Sequence, residues 1–400
     1  MSIDNIKDEI ENFDNDEILI KKNKKSKKNI IVNNLKDESN NKKNKSDDKK
    51  IKNNTTNNRK NDKLNDELNY KKTKDKIKNI LNNIKKIKDK IDFDDYSFQK
   101  PYLKWVGGKT QIMNKTIGNF PVKMNNYHEI FLGGGSILLS VLTLIEEDVI
   151  KIKGSVYAYD FNKQLIYTYK NIQSNYKKVM KEINKIIDEF NDIDGEEINR
   201  DPNTIDEAKT SKESYYYWIR KKYNLSTEDQ QISFKGTAKF IFMNKTCFRG
   251  VFRTSKGKKH FNVPYGHYPK PGIIDEDSIK KISKLIKNVK FEHLSFEKSL
   301  ERVENGDNVY LDSPYFPINP KSFVGYTSDG FNKATHDKLF EMIKELKNVN
   351  WVMSNAAVDY VIDNFNDKEK YSIEKLSCRR AINSKKPQSK ETEVIIKNYE

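Results

Sequence analysis

His128-Glu129-Ile130-Phe131-Leu132-Gly133-Gly134-Gly135-Ser136 carries an apolar, strand-like run into a glycine cluster, and residues 137–145 continue as an apolar helix. Strand, glycine turn and helix in that order make a place to bind a nucleotide-like ligand. The glycines let the backbone approach closely, and the first helical turn offers unpaired amide groups. The partner such a site needs is an acid at the end of the next strand, to hold a ribose. Residues 155–159 read as that strand and Asp160 as that acid, 25 residues after Gly135, near the roughly 20-residue separation of dinucleotide folds. Ile137 and Leu138 stand where a third fingerprint glycine would fall, which disfavours a nicotinamide enzyme.

A second strand-end signal lies far downstream. The apolar run Asn308-Val309-Tyr310-Leu311 closes in Asp312-Ser313-Pro314-Tyr315, with Pro317 and Pro320 beyond it. A carboxylate, a backbone bend and an aromatic ring are delivered together at the edge where open α/β sheets bind ligands. Between the two signals, 162–230 reads as helical with breaks near Asp194-Gly195 and Asp201-Pro202. After it come helix 276–288, strand 289–294 and helix 296–304. Past Tyr315 the pattern gives helix 333–348, a strand at 351–354, helix 357–365 and strands near 371–377 and 392–398. The alternation predicts an α/β fold with a mainly parallel sheet and an inserted helical subdomain.

Residues 244–266 interleave Lys245, Arg249, Arg253, Lys256, Lys258 and Lys259 with Phe248, Phe252 and Phe261, and Gly250 and Gly257 permit a hairpin. Basic residues there suit phosphates, an arginine suits a guanine edge, and an aromatic suits a wedge beside a displaced base. Phe242 and Phe252 are as well explained by the core.

The net charge of +17 fits a polyanionic partner. Hydrophobic residues make up 35% of the chain and charged ones 33%, so part of it cannot bury a core. That part is residues 1–95, rich in Lys, Asn and Asp, with 21–73 expected to be disordered. Two stretches of it carry helical stripes: Ile3, Ile6, Ile10 and Phe13 in an acidic setting, and a basic amphipathic run at 77–91. Two cysteines, Cys247 and Cys378, allow no disulfide framework and point to a reducing, intracellular compartment. The five histidines show no ligand spacing, so no metal is expected. With no apolar run long enough for a membrane span, a soluble protein is expected. His128 and His336 read as ordinary polar residues at element ends, and Ser214-Tyr215-Tyr216-Tyr217-Trp218 as a packing helix. Glu146-Glu147-Asp148 reads as a helix-terminal charge cluster.

Taken in order, these motifs resemble the Dam-type DNA adenine-N6 methyltransferases, over roughly 101–400. Lys104-Trp105-Val106-Gly107-Gly108-Lys109 is similar to the family's first cofactor motif, and Phe131-Leu132-Gly133-Gly134-Gly135 to its F-x-G-x-G loop. Asp160 is similar to the ribose acid, and Asp312-Ser313-Pro314-Tyr315 to the catalytic D-P-P-Y. The stretch Asn244-Lys245-Thr246-Cys247-Phe248-Arg249-Gly250-Val251-Phe252-Arg253 with Phe261-Asn262-Val263-Pro264-Tyr265-Gly266 resembles the DNA-contacting segment. Residues 351–355, Arg379-Arg380-Ala381-Ile382-Asn383 and 393–399 resemble its C-terminal pattern.

The resemblance implies a Rossmann-like methyltransferase sheet with S-adenosylmethionine as cofactor, double-stranded DNA as partner and no metal. It implies a catalytic role for Asp312, Ser313, Pro314 and Tyr315. Asp312 and the Ser313 carbonyl would accept the two amino hydrogens of adenine, and Tyr315 would stack on the displaced base. Trp105, Lys109, Phe131, Gly133, Gly135, Asp160 and Asp312 would contact the cofactor, and Lys104, Phe248, Arg249, Arg253 and Asn262 the DNA. The implied organisation is a tail at 1–95, cofactor part at 96–164, target-recognition insertion at 165–275 and catalytic part at 276–400. Ser313 departs from the motif's first proline, and Arg249 stands where many members have a small polar residue. Two other readings use the same motifs: a non-catalytic DNA-binding relative, and an RNA adenine-N6 methyltransferase. Neither a recognition sequence nor an oligomeric state follows.

Overall fold

The computed structural model describes residues 91–399 except 110, 256, 258, 259, 318–330 and 380–389. The stripe at 3–13, the tail at 21–73 and all but the last residue of 77–91 lie outside the described residues, as do Lys256, Lys258, Lys259 and 380–383. The chain divides into two units, 1–95 and 96–400, and the sheet belongs to the second.

Its strands are β1 (Lys123–Met124), β2 (Tyr127–Glu129), β3 (Lys151–Ile152), β4 (Val156–Asp160), β5 (Lys290–His293), β6 (Asn308–Leu311), β7 (Asn350–Ala356), β8 (Ser372–Arg379) and β9 (Lys390–Lys397). β1 and β3 pair apart from the rest. The other seven form one sheet in the order β5-β4-β2-β6-β7-β9-β8. The first five of these run parallel; β9 is antiparallel to β7, and β8 to β9. The chain enters at β2, builds outward through β4 and later β5, then returns to the other side of β2 with β6. The switch point therefore falls between β2 and β6, where such sheets open a ligand crevice at their carboxyl edge.

The helices are α1 (Met113–Gly118), α2 (Ser136–Glu146), α3 (Lys163–Asn191), α4 (Ile205–Ala208), α5 (Lys212–Asn224), α6 (Glu228–Gln231), α7 (Phe234–Thr246), α8 (Glu276–Leu285), α9 (Phe296–Leu300), α10 (Lys333–Glu345) and α11 (Asp359–Asn364). Side-chain caps set many of their starts: Asn162, Ser211, Ser233, Asp275 and Asn332 each accept an amide of the first turn. Asn175 leaves helical geometry within α3, and its side chain accepts the Lys178 N–H, so it breaks the helix and caps the next segment. α3 packs on α7 and α8, and α7 also packs on α5. α3 to α7 are the expected helical insertion. The tyrosines of 214–218 are buried packing residues of α5.

One sheet face is lined by Val309, Leu311, Trp351, Met353, Val394 and Ile396 beneath Leu339, Phe340 and Phe365. Tyr310 points the other way, against Phe120 at 5.4 Å, as strand alternation requires. Two expectations are corrected. Residues 244–246 are the last turn of α7 rather than part of a hairpin, because the capped helix carries its buried Phe240, Phe242 and Met243 through them. His128 and His336 are buried rather than polar end residues. His128 lies 2.9 Å from the Asp307 carboxylate and 3.2 Å from the Tyr159 hydroxyl.

Candidate active site

The glycine loop between β2 and α2 turns on Gly133 (φ +50°) and Gly135 (φ +71°), left-handed positions that favour glycine. The loop has no room for side chains. A Cβ on Gly134 would come 2.9 Å from Cβ of Trp105, and one on Gly133 would meet the indole at 3.2 Å. On Gly135 it would strike the Tyr169 hydroxyl, which donates to the Gly134 carbonyl at 2.7 Å. Trp105 and Tyr169 thus fix the loop's shape from two sides. Phe131, just before the loop, sends its ring against Phe296 and Phe331, about 6 Å between centroids.

Asp160 ends β4 beside the loop. Its Oδ2 accepts the Gly133 N–H at 2.9 Å and its Oδ1 the Asn162 N–H at 2.8 Å. Burial raises its carboxyl above the ordinary range, and the two amide bonds oppose the rise. The next residue, Phe161, is 64% exposed at this edge. A large aromatic held in water directly after the acid was open to sequence reading and was missed.

Lys109, Asp312 and Tyr315 converge. The Lys109 ammonium lies 2.7 Å from Asp312 Oδ1 and 4.8 Å from the Tyr315 ring centroid, and donates to the Gly107 carbonyl at 2.9 Å. Burial pushes the Asp312 carboxyl up to about 6; Lys109 pulls it down and Glu393 pushes it further up. The Tyr315 hydroxyl donates to Glu393 on β9 at 2.7 Å. Pro314 presents its carbonyl 3.0 Å from Nε2 of His336, and Phe316 N–H donates to Asn355 Oδ1 at 3.0 Å. The Ser313 hydroxyl is buried with no partner among the described residues.

Beneath this edge, Glu129 is buried at the end of β2. It accepts the Tyr127 hydroxyl at 2.9 Å and the Leu138 amide in the first turn of α2. Burial pushes its carboxyl up to about 8 despite those donors. Fixed donors favour the ionised form and burial the neutral one; for a group this enclosed, burial prevails.

Asn244 locks the segment after α7 to the start of the cofactor motif. Its Oδ1 accepts Lys104 N–H at 2.9 Å, while its Nδ2 donates to the carbonyls of Lys104 (2.7 Å) and Gly250 (3.2 Å). Gly250 (φ +65°) packs so closely that a Cβ would meet Lys104 Cβ at 2.3 Å. The Lys104 ammonium sits 3.9 Å above the Tyr268 ring and bonds the Lys245 carbonyl. Burial, and after it Lys104, pushes the Lys245 ammonium down to about 8. Phe248, 49% exposed, stands at the bend beside Arg249. Arg249 takes a left-handed φ of +58°, its N–H held by the Tyr268 hydroxyl and its guanidinium 5.2 Å from the Phe248 ring. Arg253 and Asn262 pair with each other across the bend, Nε to Oδ1 at 2.8 Å. Phe252 stacks on Trp105 at 5.9 Å, so one indole touches both the glycine loop and this segment.

Among the described residues, no group of three or more His, Cys, Asp or Glu is placed to hold a metal, and no helix is long and apolar enough to cross a membrane. The sequence assigns no role to Phe161, His336 or Glu129, and places Asn355 and Glu393 only within the stretches that resemble the C-terminal pattern. Apart from Phe161, only tertiary contact reveals them.

The chain is also similar to known proteins. The family model described as D12 class N6 adenine-specific DNA methyltransferase matches residues 105–382. The Type II methyltransferase M.MjaIII of Methanocaldococcus jannaschii is 34% identical over 314 residues, 75% of this chain and 99% of the relative. M1.LlaDCHI of Lactococcus lactis subsp. cremoris is 29% identical over 75% of this chain and 95% of its own length. A DNA adenine methylase of Haemophilus influenzae is 26% identical over 67% and 83%.

Proposed function

The chain belongs to the D12 class of N6 adenine-specific DNA methyltransferases, and on that premise we propose that it methylates adenine within a defined sequence of double-stranded DNA, with Asp312 acting on the reacting amino group. Membership implies S-adenosylmethionine as methyl donor. The residues fit that cofactor: a glycine loop closed by Trp105, an acid at Asp160 and an exposed aromatic at Phe161. The Asp160 carboxylate accepts backbone amides of Gly133, Asn162 and Phe161, and a carboxylate has about four acceptor positions, which leaves room for a ribose hydroxyl. Phe161 offers a face to the purine, and Lys109 a cation beside the loop. When bound, S-adenosylmethionine supplies an electrophilic methyl group on a sulfonium centre.

The amino nitrogen of adenine is a poor nucleophile because its lone pair is delocalised into the ring. Two acceptors, one for each amino hydrogen, localise that pair. The Asp312 carboxylate accepts a hydrogen bond from one amino hydrogen and the Ser313 carbonyl from the other; as the nitrogen gains the methyl group it loses one proton, through the Asp312 carboxylate to water, and keeps the other. Lys109 keeps Asp312 ionised at neutral pH by opposing the rise that burial causes. Tyr315, anchored through Glu393, offers its ring to a base removed from the duplex. Holding these groups in place before the base arrives is most of the catalysis. Phe248 is the wedge that fills the space the base leaves, and Lys104, Arg249, Arg253 and Asn262 face the duplex.

The observation that carries the reading is the Lys109–Asp312 contact at the carboxyl end of β6, beside the switch point between β2 and β6. The test is incubation of the purified chain with labelled S-adenosylmethionine and, in parallel, mixed-sequence duplex DNA or single-stranded RNA, read by base-resolved detection beside a DNA-retention assay. N6-methyladenine confined to one short sequence is expected. Transfer to single-stranded RNA alone, or DNA retention with no transfer, would overturn it.

A further inference from the structure

Between β6 and α10 the chain bends through Asp312, Ser313, Pro314, Tyr315 and Phe316, and only one ring restrains it. Serine does not fix its own φ, and the buried Ser313 hydroxyl bonds nothing among the described residues. The shape of the bend is set from outside. Two attachments, Lys109 to Asp312 and Tyr315 to Glu393, engage side chains already given to cofactor and base. Among the described residues, two more engage backbone alone. His336 Nε2 lies 3.0 Å from the Pro314 carbonyl, and Asn355 Oδ1 accepts the Phe316 N–H at 3.0 Å.

Both holders are themselves fixed. His336 is buried on α10 with its ring edge-on to Phe331 at 4.6 Å and to Phe316 at 5.2 Å. Burial favours its neutral form, so one proton serves two nearby carbonyls. The Asn332 carbonyl lies 3.0 Å from Nδ1 and the Pro314 carbonyl 3.0 Å from Nε2, and the tautomer that carries its proton on Nε2 donates to Pro314. Asn355 is buried at the end of β7, and its Oδ1 also accepts the Ala356 N–H at 2.8 Å. Two amides aimed at the same atom fix which end of the side chain is oxygen.

We propose that His336 and Asn355 are positioning residues for methyl transfer: together they hold the Ser313 carbonyl and the Asp312 carboxylate in the shape that a ring at position 313 would otherwise impose. The inference rests on the reading of Asp312-Ser313-Pro314-Tyr315 as the adenine-binding turn. Neither residue touches the base or the cofactor in this account, so their loss changes the rate of the chemical step rather than binding.

The experiment measures single-turnover methyl transfer, KM for S-adenosylmethionine, DNA affinity and melting temperature. The variants are His336→Phe, His336→Gln and Asn355→Leu, the first and last also combined with Ser313→Pro. His336→Phe and Asn355→Leu are expected to slow transfer about tenfold or more, with KM and DNA affinity within about threefold of wild type. His336→Gln, which keeps an N–H donor at similar reach, recovers most of the rate. Ser313→Pro recovers part of the loss in each combined variant that folds. Unchanged transfer in His336→Phe overturns the inference. So does a loss that follows melting temperature and that neither glutamine nor proline restores. A wild-type chain with no transfer at all instead sinks the underlying reading, and this inference with it.

Discussion

The ammonium of Lys109 lies 2.7 Å from Oδ1 of Asp312, joining the first glycine-containing motif to the end of β6. This contact works against burial, which would otherwise neutralise the carboxylate that the reaction needs.

Its consequence is a pH dependence. Asp312 titrates near 6, above the ordinary carboxylate range. As pH falls through that value the carboxyl takes up a proton and stops accepting from the amino group. The kcat/KM profile should therefore show an acid limb near pH 6, falling about tenfold per unit below it. In Lys109→Met the opposing cation is gone, so the limb should move to higher pH, beside a general loss of activity. A limb that stays in place or moves down would remove Lys109 from this role.

Glu129 makes a second pH prediction, on stability. Its folded pKa is about 8 against an ordinary 4.5, so between those values the unfolded chain has released a proton that the folded chain retains. Its contribution to stability therefore falls as pH rises across that window. Glu129→Gln lacks this titration. Its melting temperature relative to wild type should climb steadily from pH 5 to pH 8, and a flat difference would contradict the assignment.

Gly250 and Phe248 separate structure from binding. Gly250→Ala brings a Cβ within 2.3 Å of Lys104 Cβ at a left-handed φ, which should cost roughly 1–3 kcal/mol and lower both melting temperature and DNA affinity. Phe248→Ala alters a half-exposed ring, so stability should stay within about 0.5 kcal/mol while transfer to duplex DNA falls at least tenfold by the wedge argument. Calorimetry, fluorescence anisotropy on duplex DNA and labelled methyl transfer together distinguish the two patterns.

Ser313→Ala should be neutral or stabilising by about 1 kcal/mol, because it removes a buried hydroxyl that has no partner among the described residues. Chemical denaturation would show it. A loss of more than that would mean the hydroxyl is satisfied.

What could be read in the sequence is what a strand end or a turn announces locally. The glycine loop, Asp160 and Asp312 each lie at a change of pattern from apolar strand to turn, and the structure puts all three at one sheet edge. Phe161 was equally legible by its place after Asp160. His336 and Asn355 were not, since each meets the turn through a hydrogen bond spanning 22 and 39 residues. Glu393 reaches Tyr315 across 78. Nothing around a single histidine in an amphipathic helix shows that its ring will be buried against a distant carbonyl. His128 was misread for the same reason, its partner Asp307 lying 179 residues away. The helical turn at 244–246 was hidden because aromatic and basic residues suit a hairpin as well as a capped helix.

The central claim is that Asp312 acts on the adenine amino group, and Asp312→Ala tests it most directly. Labelled methyl transfer to duplex DNA and retention of the same DNA should be measured side by side for wild type and variant. The account predicts N6-methyladenine from wild type, none from the variant, and DNA retention largely preserved. Full transfer by Asp312→Ala would contradict it.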